Sequence, residues 1–350
     1  MDPVYEGGLG PRPRCVTRRD RGRDYAGEVS SYDDVPEDGA EVSGADGAAD
    51  DAGSERAGES LTSVLGIRTG EAAAGQDRVT VMIAAFEGWN DAGEAASDAL
   101  NRLDERWSAS RVAALDSDSY YDFQFTRPMV VRGSGGERRI QWPTTWLSKA
   151  SVPDSNLDVV LLHGVEPSYR WRAYTADVMA HAADLGVDHL ILVGALLADV
   201  PHTRPIPVSV STDDVGLQEG LNADPSTYEG PTGILGVLGG VAELAGIPTV
   251  SLWAAVPHYV AQAPSPKAQL ALLNRLEEIL HVPVTGDAEL REDAEAWERG
   301  VDELATEDPE IQAYVHQLEE AKDTADLPEA SGESIAREFE RYLKRRGKER

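Results

Sequence analysis

A single cysteine, Cys15, is all that the 350 residues contain, so neither an intramolecular disulfide nor a cysteine-based zinc site can form. Basic charge is also scarce. Against 62 Asp and Glu stand 32 Lys and Arg, a formal net charge of −30, which disfavours nonspecific binding to nucleic acid or to an anionic membrane. No apolar run reaches the roughly 18 residues of a membrane span. Arginines open the chain, but Asp20 and Gly22 stand where the apolar core of a secretion signal would begin. Walker loops, Gly-x-Ser-x-Gly elbows, His-x-x-x-His pairs and acidic calcium loops are missing as well. These absences predict a cytoplasmic protein with no resident metal or cofactor and no nucleic-acid or membrane partner.

The acidity is uneven, and it marks the first boundary. Asp24–Ser60 holds 12 acidic residues against the single Arg56. Residues 1–77 are poor in aromatics, rich in Gly, Ala, Ser and acids, and without lasting periodicity, so they cannot bury enough apolar surface to offset chain entropy. They are expected to form a disordered acidic arm, with Leu61–Ile67 as a solvated linker. Residues 78–285 then alternate apolar runs with helical spacing, and residues 286–350 are expected to form charged helices folded against the body or a partner. In the first of these helices Leu290, Ala294, Trp297, Val301 and Leu304 make one apolar seam.

The middle region is organised around Tyr228–Val260. Pro231 and Thr232 are expected to open a helix whose stripe is Ile234, Leu235, Leu238, Val241 and Leu244. Gly246 sits where a left-handed cap belongs, and Pro248 forbids continuation. Thr249–Val256 is then apolar on both faces, as in a strand covered above and below. Gly233, Gly236, Gly239 and Gly240 each lower helix propensity by about 1 kcal/mol. Close approach of the helix to its sheet is the reading favoured for them, and a phosphate cradle at the helix start is the alternative. Similar apolar runs at Val79–Phe86, Leu157–Leu162 and His189–Leu197 read as further buried strands, and the sheet they make with helices on both faces is expected to be mostly parallel. Met129–Arg132 and Arg138–Trp142 flank a turn and read as a hairpin. Ile206–Val210 reads as an edge strand.

Four of these strands end in polar clusters. If the strands are parallel, the clusters share the carboxyl edge of the sheet, where ligands of open α/β sheets bind. The candidate cleft is Glu87, Trp89, Asn90, Asp91, His163, His202, Arg204, Thr232 and His258, with Glu166 and Asp199 nearby. Val-Pro-His recurs at Val200–His202 and at Val256–His258, and imidazoles beside carboxylates suit acid–base work near neutral pH. The competing reading is that these residues cap loops and satisfy backbone groups. A three-histidine metal site from His163, His202 and His258 is a weaker third. Trp142, Trp146, Trp171, Tyr169 and Tyr174 read as buried packing, or else as an exposed interface.

The same turns carry a family resemblance. Phe86-Glu87-Gly88-Trp89-Asn90-Asp91-Ala92-Gly93, Tyr120-Tyr121-Asp122-Phe123, Pro201-His202-Thr203-Arg204-Pro205, Tyr228-Glu229-Gly230-Pro231-Thr232-Gly233 and Val256-Pro257-His258-Tyr259-Val260 resemble the proteasome assembly chaperone 2 family in its actinobacterial branch. The resemblance runs from about Val79 to Val284. It implies a three-layer α/β/α sandwich, similar to phosphorylases and hydrolases, and self-association into a homo-oligomer. It further implies a non-catalytic chaperone role with a protein partner, proteasome α-subunits among the candidates. The alternative function is a small-molecule hydrolase or phosphorylase-like enzyme working at the strand-end cluster.

Overall fold

Nine consecutive residues, Val79–Glu87, form the strand on which the layers are built, and all but its two ends are buried. The computed structural model describes residues 63–133, 135–284 and 288–326. In chain order the elements begin with β1 (Val79–Glu87), α1 (Ala95–Arg106), β2 (Ser110–Ala114), the one-turn α2 (Ser117–Tyr120), β3 (Met129–Arg132), β4 (Arg138–Gln141) and β5 (Thr145–Ser151). Next come β6 (Leu157–Val165), α3 (Trp171–Leu185), β7 (His189–Ala198), β8 (Val208–Ser211), α4 (Val215–Leu221) and α5 (Ile234–Leu244). β9 (Thr249–Pro257), α6 (Pro266–Leu280), α7 (Ala288–Glu307) and α8 (Pro309–Asp326) follow.

Seven strands form one sheet in the order β2-β5-β6-β1-β7-β9-β8. The central four, β6, β1, β7 and β9, are parallel. Antiparallel pairing of β5 on β6 and of β8 on β9 flanks them. β8 is the expected edge strand, kept out of the centre by Pro205 and Pro207. β3 and β4 pair only with each other, as the expected hairpin.

Alternate side chains of each central strand feed two apolar layers. Val81, Ile83 and Val159 pack with α1 and α6, whereas Met82, Ala84 and Val160 pack with α3 and α5. The architecture is a three-layer α/β/α sandwich. Because the four central strands run together, Glu87, Val165, Ala198 and Pro257 all exit on one edge.

The body begins earlier than expected. Leu65 is 2% exposed and Ile67 is fully buried, both in the α1–α6 layer. Asn156 holds the segment by accepting the Arg68 amide at 2.7 Å. Of the expected linker Leu61–Ile67, the described part, 63–67, is therefore anchored to the body rather than solvated: two apolar side chains suffice once a groove exists to receive them. The remainder of the expected arm, residues 1–62, and residues 327–350 of the expected charged helices lie outside the described residues.

α5 starts and stops as its sequence directs, with one change of cap. Gly246 has φ +77°, its amide bonds Glu243, and the Ile247 amide reaches back to Ala242 at 2.9 Å, a paired closure of the helix end. The buried stripe is Ile234, Leu235, Leu238, Gly239 and Ala242. Leu244 lies off it and is 91% exposed. A Cβ on Gly239 would meet Leu192 Cδ1 of β7 at 3.0 Å, which is the expected close approach to the sheet. Gly240 faces open space, so close packing does not account for it.

Candidate functional site

At the carboxyl edge the side chains fall into two bonded groups. The first joins β1, β6 and α5. Asn90, only 1% exposed, donates through Nδ2 to Glu166 Oε1 at 3.0 Å. The same oxygen accepts the Ile234 amide at 2.9 Å. Glu166 thus caps α5, a role the sequence assigned to Thr232. Position Gly233 is the N-cap residue, and the Thr232 hydroxyl makes no cap bond. A carboxylate is favoured there because the helix start carries partial positive charge and orphan amides. Asn90 also ties this group to β7 by accepting the Ala195 amide at 2.8 Å. Its Oδ1 is buried and has no hydrogen-bond partner among the described residues.

Neighbouring candidates serve α1. Asp91 accepts the Ala96 amide at 2.7 Å and the Ser97 hydroxyl at 2.5 Å, so it anchors the first turn. Burial pushes its carboxyl up to about 6, against the opposing pull of those hydrogen bonds. Glu87 is raised too, by desolvation first and then by Asp91, Glu94 and Asp98. Trp89, at 67% exposure, projects outward.

The second group lies at the ends of β7 and β9 and includes both Val-Pro-His repeats. His202 is fully buried. Its Nδ1 lies 2.8 Å from the Tyr259 hydroxyl, which also accepts the His202 amide, and its Nε2 lies 2.9 Å from Asp302 of α7. His258 Nδ1 is 3.2 Å from Asp199, and its ring sits edge-on to Tyr259 and Tyr314. Arg204 donates from Nε and Nη2 to Asp323 of α8 at 2.8 and 2.7 Å. That bond, with Glu319 beside it, raises the guanidinium pKa further.

His163 belongs to neither group. β6 continues to Val165, so period two turns His163 onto the α1 face with Val159 and Leu161. There it stacks on Trp146 at 4.9 Å, with Asp104 at 3.3 Å and Ser148 Oγ at 3.4 Å. Burial lowers its pKa, and Asp104 opposes the shift. Among the described residues there is no group of three or more His, Cys, Asp or Glu able to hold a metal.

The aromatic set divides. Tyr174 is buried and shares the Thr145 hydroxyl with Tyr121 at 2.8 and 2.6 Å. Trp142 and Tyr169 are exposed. A cavity of about 360 Å³ lies at the other edge, between α4, α6 and Val64.

The family model for PAC2 matches residues 85–305, which runs from the end of β1 through nearly all of α7. The chain belongs to the PAC2 family. A PAC2 family protein from Streptomyces avermitilis is 52% identical with a TM-score of 0.62, covering 67% of this chain and 99% of that one. The proteasome-assembly chaperone homologue of Mycobacterium tuberculosis is 46% identical with a TM-score of 0.60, over 67% of this chain and 99% of that one. A Corynebacterium glutamicum protein of unknown function is 25% identical with a TM-score of 0.64, over 74% and 97%. No curated protein matches significantly. Among the described residues no helix is long and apolar enough to cross a membrane.

The PAC2 turns brought together at this edge have partners that motif reading missed: Lys267, Glu298, Asp302, Glu319 and Asp323. One signal was present. Glu298 and Asp302 on α7, and Glu319 and Asp323 on α8, are like charges four residues apart, an arrangement that destabilises a helix unless cations lie opposite.

Proposed function

We propose that this PAC2 protein is a proteasome-assembly-chaperone-like factor that works through protein contacts rather than catalysis. The observation carrying this is its 46% identity to the Mycobacterium tuberculosis proteasome-assembly chaperone homologue over 99% of that chain. The state of the carboxyl edge supports the reading. Glu166 and Asp91 cap helices, while His202 and Arg204 are engaged by α7 and α8, so the groups available for acid–base work are committed to holding elements together. In this reading the protein is a cytoplasmic homo-oligomer and proteasome α-subunits are its partner. Affinity purification of the tagged full-length chain from an actinobacterial host tests it. Proteasome α-subunits or precursors are expected to co-purify. Their absence, with normal proteasome maturation in a deletion strain, overturns the proposal.

One observation favours a small-molecule reading of the same edge: the buried Asn90 Oδ1 has no partner among the described residues, and a ligand donor would satisfy it. A metabolite panel that shifts the melting temperature of the wild type but not of Asn90→Ala is the result this reading requires.

A further inference from the structure

α8 is bound to the body chiefly by polar contacts. Among the described residues of this helix, Val315 and Leu318 are the buried apolar ones. Its polar contacts run the length of the helix: the Tyr314 hydroxyl donates to Asp199 at 3.1 Å, Glu319 accepts the Thr203 hydroxyl at 2.5 Å, and Arg204 grips Asp323 with two nitrogens. Tyr314 also meets the rings of His258 and Tyr259 edge-on. α7 repeats the theme one layer in, where Lys267 holds Glu298 at 2.5 Å and donates to the His202 carbonyl.

Two facts set α8 apart from α7. α7 buries four apolar side chains, Leu290, Ala294, Val301 and Ala305, twice the number on α8. The family match ends at residue 305, so α8 lies beyond it, yet it covers two of the turns that carry the family motifs. A helix held by exposed ion pairs and two apolar anchors is weakly docked and competes at the effective concentration its tether sets.

We propose that Asp199, Thr203, Arg204, His258 and Tyr259 form a protein-docking surface that α8 occupies in cis. The partner it fits is an acidic amphipathic helix with the pattern Tyr-Val-x-x-Leu-Glu-x-x-x-Asp, read from Tyr314 to Asp323. The spacing is physical. Val and Leu three apart fill one apolar stripe, and Glu and Asp four apart meet Thr203 and Arg204 along a single helix face. α8 gates this surface, and a partner helix of the same chemistry displaces it. The proposal stands without the chaperone reading, because its test uses a segment of this chain as the probe.

The probe is a fluorescent peptide of residues 308–326, held helical by a staple joining the exposed positions 313 and 317, titrated onto full-length protein. Against wild type, the Glu319→Ala/Asp323→Ala variant is expected to bind it roughly tenfold tighter, because the cis occupant is weakened while the surface is intact. Adding Arg204→Ala to that variant is expected to abolish the gain. Hydrogen exchange checks that the fold is kept: amides of α8 exchange faster in the double variant, and those of β1 and β6 do not change. Equal binding by wild type and double variant, no binding to the double variant up to about 1 mM, or a gain that survives Arg204→Ala each overturns the proposal.

Discussion

Glu166 Oε1 accepts the Ile234 amide at 2.9 Å, across 68 positions of sequence. This bond joins the exit of β6 to the start of α5 and fills the place where a phosphate cradle would have its anion. The carboxylate is the anion. The helix start is thereby a structural joint, and Asn90 is its second member.

Removing that joint has a definite expected effect. Glu166→Ala leaves the Ile234 amide uncapped and the Asn90 amide group without its donor bond, a loss of about 2–3 kcal/mol. Glu166→Gln keeps an acceptor oxygen and is expected to lose roughly 1 kcal/mol. Urea denaturation of both variants measures the difference, and equal losses would mean that the cap is not what Glu166 supplies.

The glycines of the α5 region separate into necessary and dispensable ones. A Cβ on Gly233 would lie 2.2 Å from Asn90 Oδ1, whereas one on Gly240 meets nothing. Gly233→Ala is expected to destabilise by about 1–3 kcal/mol through overpacking. Gly240→Ala is expected to stabilise by about 0.5–1 kcal/mol by removing helix-interior glycine. Combining Gly233→Ala with Asn90→Ala is expected to recover part of the first loss, a coupling that a double-mutant cycle reads directly.

Asp91 carries a pH dependence of known sign. Its folded value of about 6 exceeds the ordinary 3.8, so between those values the folded protein binds more protons than the unfolded chain. Stability from this residue is therefore greatest below the ordinary value and falls as pH rises through about 6. The stability of wild type relative to Asp91→Asn is expected to increase by about 1 kcal/mol from about pH 7 to about pH 5. Paired denaturant titrations at the two pH values check it; a gap that narrows on acidification refutes the assignment.

Tyr121 ties three elements with one hydroxyl. It lies 2.6 Å from Thr145 Oγ1 and donates to the Val165 carbonyl at 2.8 Å, within the α3–α5 layer. Tyr121→Phe preserves ring packing but strands the Val165 carbonyl and the Thr145 hydroxyl, an expected loss of about 1–3 kcal/mol. Thermal unfolding of Tyr121→Phe beside Tyr169→Phe, whose hydroxyl bonds the Tyr121 carbonyl from an exposed ring, gives the comparison. The buried site is expected to lose more.

Legibility in the sequence followed locality. Apolar runs between turn residues identified β1, β6, β7 and β9, because a strand buried on both faces must be apolar throughout. Gly246, at positive φ, ended α5 where it was expected, since left-handed closure is a one-residue requirement. β5 was not legible. Thr145–Ser151 contains Ser148 and Lys149, and Ser148 is buried only because Asp104 and His163 come from elsewhere to meet it. The start of α3 was not legible either: the Ser168 hydroxyl accepts the Asp122 amide, and a left-handed Arg170 precedes the helix.

Sequence alone determined the layered α/β class, the direction of the central strands and the family, because each depends on short-range periodicity and motif order. It also placed Asn90, His202 and His258 on one edge, as parallel topology requires. Tertiary structure decided what those residues do there. Whether a carboxylate at a strand exit is a catalyst or a cap depends on which distant amide approaches it, and for Glu166 that amide is Ile234. Whether His202 and Arg204 are open or covered depends on Asp302 and Asp323, which lie about a hundred residues along the chain. Pairings over such separations are set by how helices pack, and no local pattern encodes them.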